Sequence, residues 1–67
     1  MKACNVITLS GDVEYCIEVD GILYPFNEEI RDMLMVEADD ASIKAGFLGV
    51  PKKMFSNIEY KEKNVLH

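Results

Sequence analysis

The residue types best suited to chemistry in this 67-residue sequence are two cysteines, one histidine and twelve carboxylates. Nucleophilic or zinc chemistry needs several such groups together, as a cysteine beside a histidine or as ligands at short, regular spacing. His67 is the only histidine and stands at the end of the sequence, while Cys4 and Cys16 lack the spacing of a zinc motif. The sequence also contains no glycine-rich phosphate-binding loop. It therefore predicts no catalytic residue, no metal site and no cofactor.

Length and composition predict one small domain, residues 1–67, that gains stability by contact with partners. A chain of this length buries only about 60% of its unfolded surface when it folds. Hydrophobic residues make up 49% and charged residues 28%, which is the composition of a folded globular protein. No apolar run approaches the roughly 20 residues that span a bilayer, and the first residues lack the apolar region of a signal peptide. We therefore expect a cytoplasmic protein with no membrane contact.

The net charge of −5 is divided unevenly along the chain. Residues 1–40 carry ten carboxylates and two basic groups, whereas residues 41–67 carry five lysines and two carboxylates. The acidic stretch over residues 28–40 has two interpretations. It is a solvated helix face, or it mimics the phosphates of a nucleic acid and occupies the basic groove of a partner. Its candidate binding residues are Glu28, Glu29, Asp32, Asp39 and Asp40.

Two turn signals predict a three-stranded antiparallel β-meander over residues 1–26. Asp20-Gly21 is typical of a type I′ hairpin, because both central residues of that turn adopt positive φ. Gly11-Asp12 offers an earlier two-residue loop. The outer strands, at residues 3–9 and 22–26, would be the two edges of the sheet. The pairs expected from these loops are Val6 with Ile17, Tyr15 with Thr8, Val19 with both Cys4 and Ile22, and Ile17 with Tyr24.

The predicted register divides the side chains of the meander between two faces, because strand side chains alternate. One face is the apolar core, which we expect the helices to cover. The other face carries a partly apolar strip, which is a candidate protein-binding patch unless the C-terminal segment, with Phe55, Ile58, Val65 and Leu66, folds back over it. In this register Cys4 and Cys16 point to opposite faces, so a disulfide between them would need the backbone to move. The residues of the strip are Ile7, Leu9, Cys16, Leu23 and Pro25.

Capping signals predict two short helices after the meander. Asn27 is a good N-cap for a helix over about 28–37, whose first turn carries two glutamates that the helix dipole favours. An aspartate at position 39 or 40 can cap a second helix that runs to about Leu48. Residues 52–62 fit either a third helix or a fourth strand through Ile58 and Tyr60.

The predicted fold class is therefore α+β, with the three-stranded antiparallel β-meander packed against two or three short helices. The meander occupies residues 1–26, the helical part residues 27–60, and a tail residues 61–67. This division describes one domain, because no linker or repeat interrupts the sequence.

The C-terminal half contains a second pattern. Ala45 stands four residues before Gly49, Leu48-Gly49-Val50 forms a candidate turn, and apolar Phe55 and Ile58 follow where a second helix would face the core. In these features residues 41–60 resemble the helix-turn-helix of small bacterial and phage repressors. The resemblance implies a DNA-binding transcriptional regulator as the alternative function. Its recognition helix would carry Lys52, Lys53 and Asn57 into the major groove.

The leading functional hypothesis is a small non-catalytic protein-binding module. It would be a phage-type inhibitor or regulator that acts by occupying the surface of a partner protein, and it rests on small size, acidity and the lack of catalytic groups. The partner would be another protein, such as a host enzyme or complex, or a second copy of this chain in a homodimer. Nucleic acid would be a partner only under the helix-turn-helix alternative.

Overall fold

The computed structural model describes residues 1–61, which form a five-stranded antiparallel sheet and two α-helices. The predicted α+β class is confirmed, although the sheet has two more strands than the predicted meander. The strands lie in the order β4-β3-β2-β1-β5. The elements are β1 (Lys2–Ile7), β2 (Val13–Val19), β3 (Ile22–Phe26), α1 (Glu28–Glu37), α2 (Asp40–Gly46), β4 (Val50–Pro51), a 3₁₀ turn (Lys52–Met54) and β5 (Ile58–Tyr60).

The hairpin between β2 and β3 has the predicted register. Asp20 and Gly21 both adopt positive φ, at 51° and 81°, as a type I′ turn requires. Val19 therefore pairs with Ile22, and Ile17 pairs with Tyr24. This local signal was sufficient because two residues alone set the twist and the register of a tight hairpin.

The predicted register between β1 and β2 is wrong by three residues. Ile7 pairs with Val13, so the loop contains residues 8–12 rather than two residues. Backbone hydrogen bonds from Thr8 N–H to Asp12 O (2.8 Å) and from Gly11 N–H to Thr8 O (2.9 Å) close this wider loop. Because the shift is an odd number, it turns every β1 side chain to the other face relative to β2.

The register of β1 places the two cysteines on the same face. Cys4 pairs directly with Cys16, which corrects the prediction that they point to opposite faces. Both are free thiols and both are buried. Residues directly opposite in an antiparallel pair have Cα atoms about 4.5–5.5 Å apart, which lies within the range that a disulfide spans.

One face of the sheet is covered by the two α-helices, as predicted. Asn27 caps α1 by accepting a hydrogen bond from the Ile30 N–H (2.8 Å), and Asp39 caps α2 by accepting one from the Ser42 N–H (2.8 Å). Leu34 and Met35 of α1 pack against this face. Its buried core consists of Ile17, Val19, Tyr24 and Ile43.

The opposite face is covered by the C-terminal part of the described chain. Phe55 and Ile58 pack against a second buried cluster on this face, so the C-terminal segment folds back over it. The remaining residues that the sequence placed in this cover, Val65 and Leu66, lie outside the described residues. The second cluster consists of Cys4, Val6, Cys16 and Leu23.

The same segment adds a strand to each side of the meander, so the prediction that β1 and β3 form the edges is wrong. β4 pairs with β3, and β5 pairs with β1. Both strands had unpaired backbone groups that a neighbouring chain segment could satisfy. Gly49 allows the close approach to β3, because a Cβ atom there would clash with the Ile22 side chain and lie 3.0 Å from Leu23 O.

Residues 41–60 do not form two helices, so the structural expectation from the helix-turn-helix resemblance is wrong. α2 ends at Gly46 rather than near Leu48, because Phe47 is already extended, with φ −137° and ψ 159°. The chain then pairs with β3, where the Lys52 N–H donates to Gly21 O (2.9 Å). Of the two interpretations of residues 52–62, the strand through Ile58 and Tyr60 is confirmed.

Arg31 is fully buried and joins α1 to β1. Its Nη1 donates to Cys4 O (2.9 Å) and to Asn5 Oδ1 (2.7 Å), and its Nε donates to Asp32 Oδ1 (2.9 Å). The guanidinium carbon lies 5.4 Å from the centroid of the Tyr15 ring. Nη2 is buried and makes no hydrogen bond within residues 1–61. Arg31 had no predicted role, since one arginine in a helix is usually solvated.

Replacing Arg31 with alanine should lower the free energy of unfolding by about 2–4 kcal/mol, because it creates a cavity and leaves Asn5 without its donor. The matched control is Glu37→Ala on the same helix, which should cost less than about 1 kcal/mol because the Glu37 side chain is exposed and is not paired with Arg31. Urea unfolding followed by circular dichroism measures both values. Equal costs would contradict the central role assigned to the buried guanidinium.

Candidate interaction surface

The buried cysteines have the properties of core residues rather than of nucleophiles. The pKa of the Cys16 thiol is raised to about 11, mainly by burial and secondarily by the facing Cys4 and nearby Glu14. Burial also raises the pKa of Cys4, with Glu18 as the second cause. Both groups are therefore protonated thiols at neutral pH, and the thiolate is the reactive form. Within residues 1–61, no three potential metal ligands lie close enough to hold an ion.

A polar cluster fastens the C-terminal segment to the sheet. The Tyr60 hydroxyl donates to Glu18 Oε1 (2.5 Å), and Lys52 Nζ lies 3.4 Å from Glu18 Oε2 and 3.3 Å from the Tyr60 hydroxyl. Glu18 is only 8% exposed. The hydrogen bond from Tyr60 lowers the pKa of Glu18 and raises the pKa of Tyr60, because it stabilises the carboxylate and the neutral phenol. The sequence did not predict this cluster, because its members are up to 42 positions apart.

The structure divides the predicted apolar strip into two parts. Cys16 and Leu23 are buried and lie with Pro25 beside a small apolar cavity that Phe55 also lines. Ile7 and Leu9 lie in a separate groove. The continuous exposed strip therefore does not exist, because the register shift of β1 and the insertion of Phe55 separate its members.

The groove that contains Ile7 and Leu9 is an open concavity whose lining is mainly apolar. We call it the Leu9 groove. One side belongs to the end of β1 and the following loop, and the other side to the 3₁₀ turn and the segment before β5. Leu9 is fully exposed and Met54 is 69% exposed. The lining residues are Ile7, Thr8, Leu9, Ser10, Met54, Phe55 and Ser56.

The loop that carries Leu9 is held in place by its own hydrogen bonds. Besides the two backbone bonds that close it, the Asp12 N–H donates to Thr8 Oγ1 (3.0 Å). The hydroxyls of Thr8 and Ser10 are 3.0 Å apart, and the Ser10 hydroxyl donates to Asp12 Oδ2 (3.1 Å). Leu9 therefore projects from a hydrogen-bonded loop into solvent, and its role in binding stays a prediction.

Most of the predicted acidic binding residues have partners within the domain. Asp32 accepts from Arg31, Asp39 caps α2, and Asp40 lies 3.0 Å from the Met1 ammonium. Glu28 and Glu29 are exposed in the first turn of α1, where they border a shallow, open depression with Asp32. The helix dipole and the caps explain these carboxylates locally, and their role in binding stays a prediction.

The residues assigned to DNA recognition are not arranged on a helix. Lys52 and Lys53 belong to the 3₁₀ turn, and Asn57 lies in the short connection between that turn and β5. Lys52 is engaged with Glu18 and Tyr60, which raise its pKa. Asn57 O accepts a hydrogen bond from the Ile7 N–H (3.0 Å). Lys52, Lys53 and Asn57 therefore do not lie on one α-helix that could enter a major groove.

Comparison with known proteins gives no relative from which a function could be transferred. No family model, curated protein or solved structure matches this chain. Among the helices of residues 1–61, none combines the length and apolar character needed to cross a membrane. Functional inference therefore depends on the surface geometry described above.

The polar cluster should make stability depend on pH through Glu18. Its pKa is lowered on folding, so its contribution is present above the unfolded value of about 4.5 and is lost as the pH falls through the folded pKa. Glu18→Gln should therefore reduce the loss of stability between about pH 5 and pH 3. Urea midpoints across this range measure the effect, with exposed Glu59→Gln as the control. An unchanged acid slope in Glu18→Gln would contradict the assigned role.

The two thiols should be nearly inert in the folded protein. At pH 8 both should react with a disulfide reagent such as DTNB at least about 100-fold more slowly than in the unfolded chain, because they are buried and protonated. Absorbance of the released thiolate measures both rates. Rapid modification of one thiol in the folded protein would show that its pKa or accessibility differs from this description.

Proposed function

We propose that this chain is a small protein-binding module that inhibits or regulates a partner protein by occupying its surface. In this proposal the Leu9 groove forms the centre of the contact. The observation that carries it is the full exposure of Leu9 on a loop that hydrogen bonds hold in one conformation.

An exposed leucine on an ordered loop is an efficient anchor for binding. Burial of a leucine side chain contributes about 1.5–3 kcal/mol when a partner removes it from water. A flexible loop would lose part of this gain because ordering its backbone and side chains costs free energy. The hydrogen bonds between Thr8 and Asp12 already order this loop when the monomer folds, so binding has less conformational freedom to remove.

The opposite side of the groove is formed by Met54, which has a flexible side chain, and Phe55, which packs on the core. Met54 is largely exposed, and methionine adapts to irregular apolar surfaces through its unbranched, polarisable side chain. Phe55 packs on the core formed by Cys4, Val6, Cys16 and Leu23, so the base of the groove is anchored. This arrangement suits an apolar side chain of the partner that inserts between Leu9 and Met54.

Charge would assist the encounter without defining the contact. Glu28 and Glu29 are exposed at the start of α1, and the whole chain carries a net charge of −5. Complementary charge mainly accelerates association and excludes wrong partners. The partner that fits this proposal therefore has an apolar side chain for the groove and a basic surface nearby.

Substitutions at the Leu9 groove should separate binding from folding. Peptide ligands selected from a random display library against the immobilised full chain provide a probe that assumes no partner. Leu9→Glu and Met54→Glu should each weaken the selected peptides by at least about tenfold, because the new carboxylate must lose its hydration on binding. Isothermal titration calorimetry measures the change, and circular dichroism checks that each variant is folded.

Val36→Glu and Leu48→Glu are matched controls, because these side chains are 84% and 92% exposed and lie outside the groove lining. They should retain peptide affinity within about twofold. Full-length proteins that wild type and both controls retain, and that the two groove variants lose, would identify the partner. Peptides that bind the groove variants as tightly as wild type would overturn the proposal.

A further inference from the structure

β5 is the outermost strand on one side of the sheet that residues 1–61 form. The Ile7 N–H donates to Asn57 O (3.0 Å), and the Lys61 N–H donates to Ala3 O (2.9 Å). Because backbone groups alternate along a strand, those of Asn57, Glu59 and Lys61 face β1. The N–H and C=O groups of Ile58 and Tyr60 therefore point away from the sheet. Within residues 1–61 no strand pairs with this side of β5.

The opposite edge is blocked by proline. The Lys52 N–H donates to Gly21 O. This bond determines which residues of β3 and β4 point their backbone N–H and C=O groups toward each other and which point them away. The backbone of Pro51 therefore points outward from β4, and the nitrogen of Pro25 points outward from β3 beyond the two residue pairs that β4 covers. Proline offers no N–H to a neighbouring strand. Both prolines of the sequence lie on this edge, and β5 contains none.

Only a few registers allow two copies of β5 to pair antiparallel about a two-fold axis. Outward-facing residues must pair with each other, so the axis lies at Ile58, at Glu59 or at Tyr60. An axis at Glu59 puts two glutamates opposite each other, which is destabilising. An axis at Ile58 puts Glu59 opposite Asn57. An axis at Tyr60 puts Glu59 of each copy opposite Lys61 of the other, and opposite charges stabilise such pairs.

We infer that β5 is the interface of a symmetric dimer in which two copies pair antiparallel about Tyr60 to form one ten-stranded sheet. Each Tyr60 would exchange both backbone hydrogen bonds with its counterpart, and two Glu59–Lys61 pairs would flank the axis. Glu59 and Lys61 are both exposed in the monomer, so these charges are accessible to a second copy. Of the three registers compared, only the axis at Tyr60 places opposite charges opposite each other, so a second copy of this strand is complementary in charge to the first.

This interface is separate from the Leu9 groove and does not depend on the proposed function. The groove is lined by residues 7–10 and 54–56, whereas the inferred interface uses Ile58–Lys61. Tyr60 is 41% exposed, although its hydroxyl is held by Glu18. Its outward backbone groups remain accessible because the side chain lies on the face of the sheet rather than at its edge.

A charge-exchange experiment tests the register. Sedimentation equilibrium of the full chain from about 10 µM to about 1 mM gives the dimer dissociation constant, a range suited to a small interface. Glu59→Lys and Lys61→Glu should each weaken dimerisation by at least about tenfold, because each places like charges opposite each other twice per dimer. The double variant Glu59→Lys/Lys61→Glu should recover the wild-type constant within about threefold.

Matched controls change the net charge by the same amount elsewhere. Glu37→Lys and Lys53→Glu are exposed and lie outside β5, so they should dimerise like wild type. Circular dichroism confirms that every variant is folded. A chain that stays monomeric to about 1 mM would overturn the inference. Single variants that dimerise like wild type, or a double variant that does not recover, would also overturn it.

A cross-linking measurement reports the register directly. Mixing Glu59→Cys with Lys61→Cys under mild oxidation should yield mainly the mixed disulfide, because those positions are directly opposite. The buried Cys4 and Cys16 do not compete, since both are protonated in the folded domain. Predominance of the Glu59→Cys homodimer would place the axis at Glu59 and overturn the Tyr60 register.

Discussion

The structure depends on the burial of both faces of β2. Four consecutive residues of this strand, from Cys16 to Val19, are buried, so the strand needs cover on each side. The two α-helices cover one face, and a chain of 67 residues has little left for the other. The C-terminal segment therefore crosses the sheet, adds β4 and β5 to its margins, and inserts Phe55 between them. The polar cluster of Glu18, Lys52 and Tyr60 holds that segment where the apolar contact is thin.

Sequence reasoning succeeded where a short stretch of residues decides the structure. Asp20-Gly21 fixes the second hairpin, and Asn27 and Asp39 fix the helix starts, because each acts through backbone groups within three positions. The first hairpin depends on a hydrogen-bond network among Thr8, Ser10 and Asp12 that residue preferences alone do not specify. The residue types at Gly11-Asp12 fit a two-residue loop. That loop gave a register shifted by three residues, which placed the β1 side chains on the wrong face of the sheet.

The candidate surface was predictable only in part, because contacts between distant parts of the chain form some of it. Ile7 and Leu9 were identified from apolar alternation, and both line the Leu9 groove. Cys16 and Leu23 were placed on the correct face by the register between β2 and β3, but Phe55 and Ile58 pack over that face, so both are core residues. Met54 and Phe55 complete the groove through contacts more than 40 positions away along the chain. Such contacts follow from tertiary packing, and the segment that makes them fits helix and strand patterns equally well.

The placement of both prolines on one side of the sheet limits how copies of this domain can aggregate. A sheet with two open edges can add neighbours without end, which is the geometry of a fibril. In the described sheet only the β5 edge can readily accept another strand, because Pro25 and Pro51 offer no N–H donors on the other edge. In the inferred dimer, each copy uses its β5 edge, and the other edge of the described sheet carries the two prolines, so we expect growth by strand pairing to end at two copies. Replacing one of these prolines with a residue that has an N–H group would restore a donor to that edge. Copies of the inferred dimer could then add to one another through this second edge.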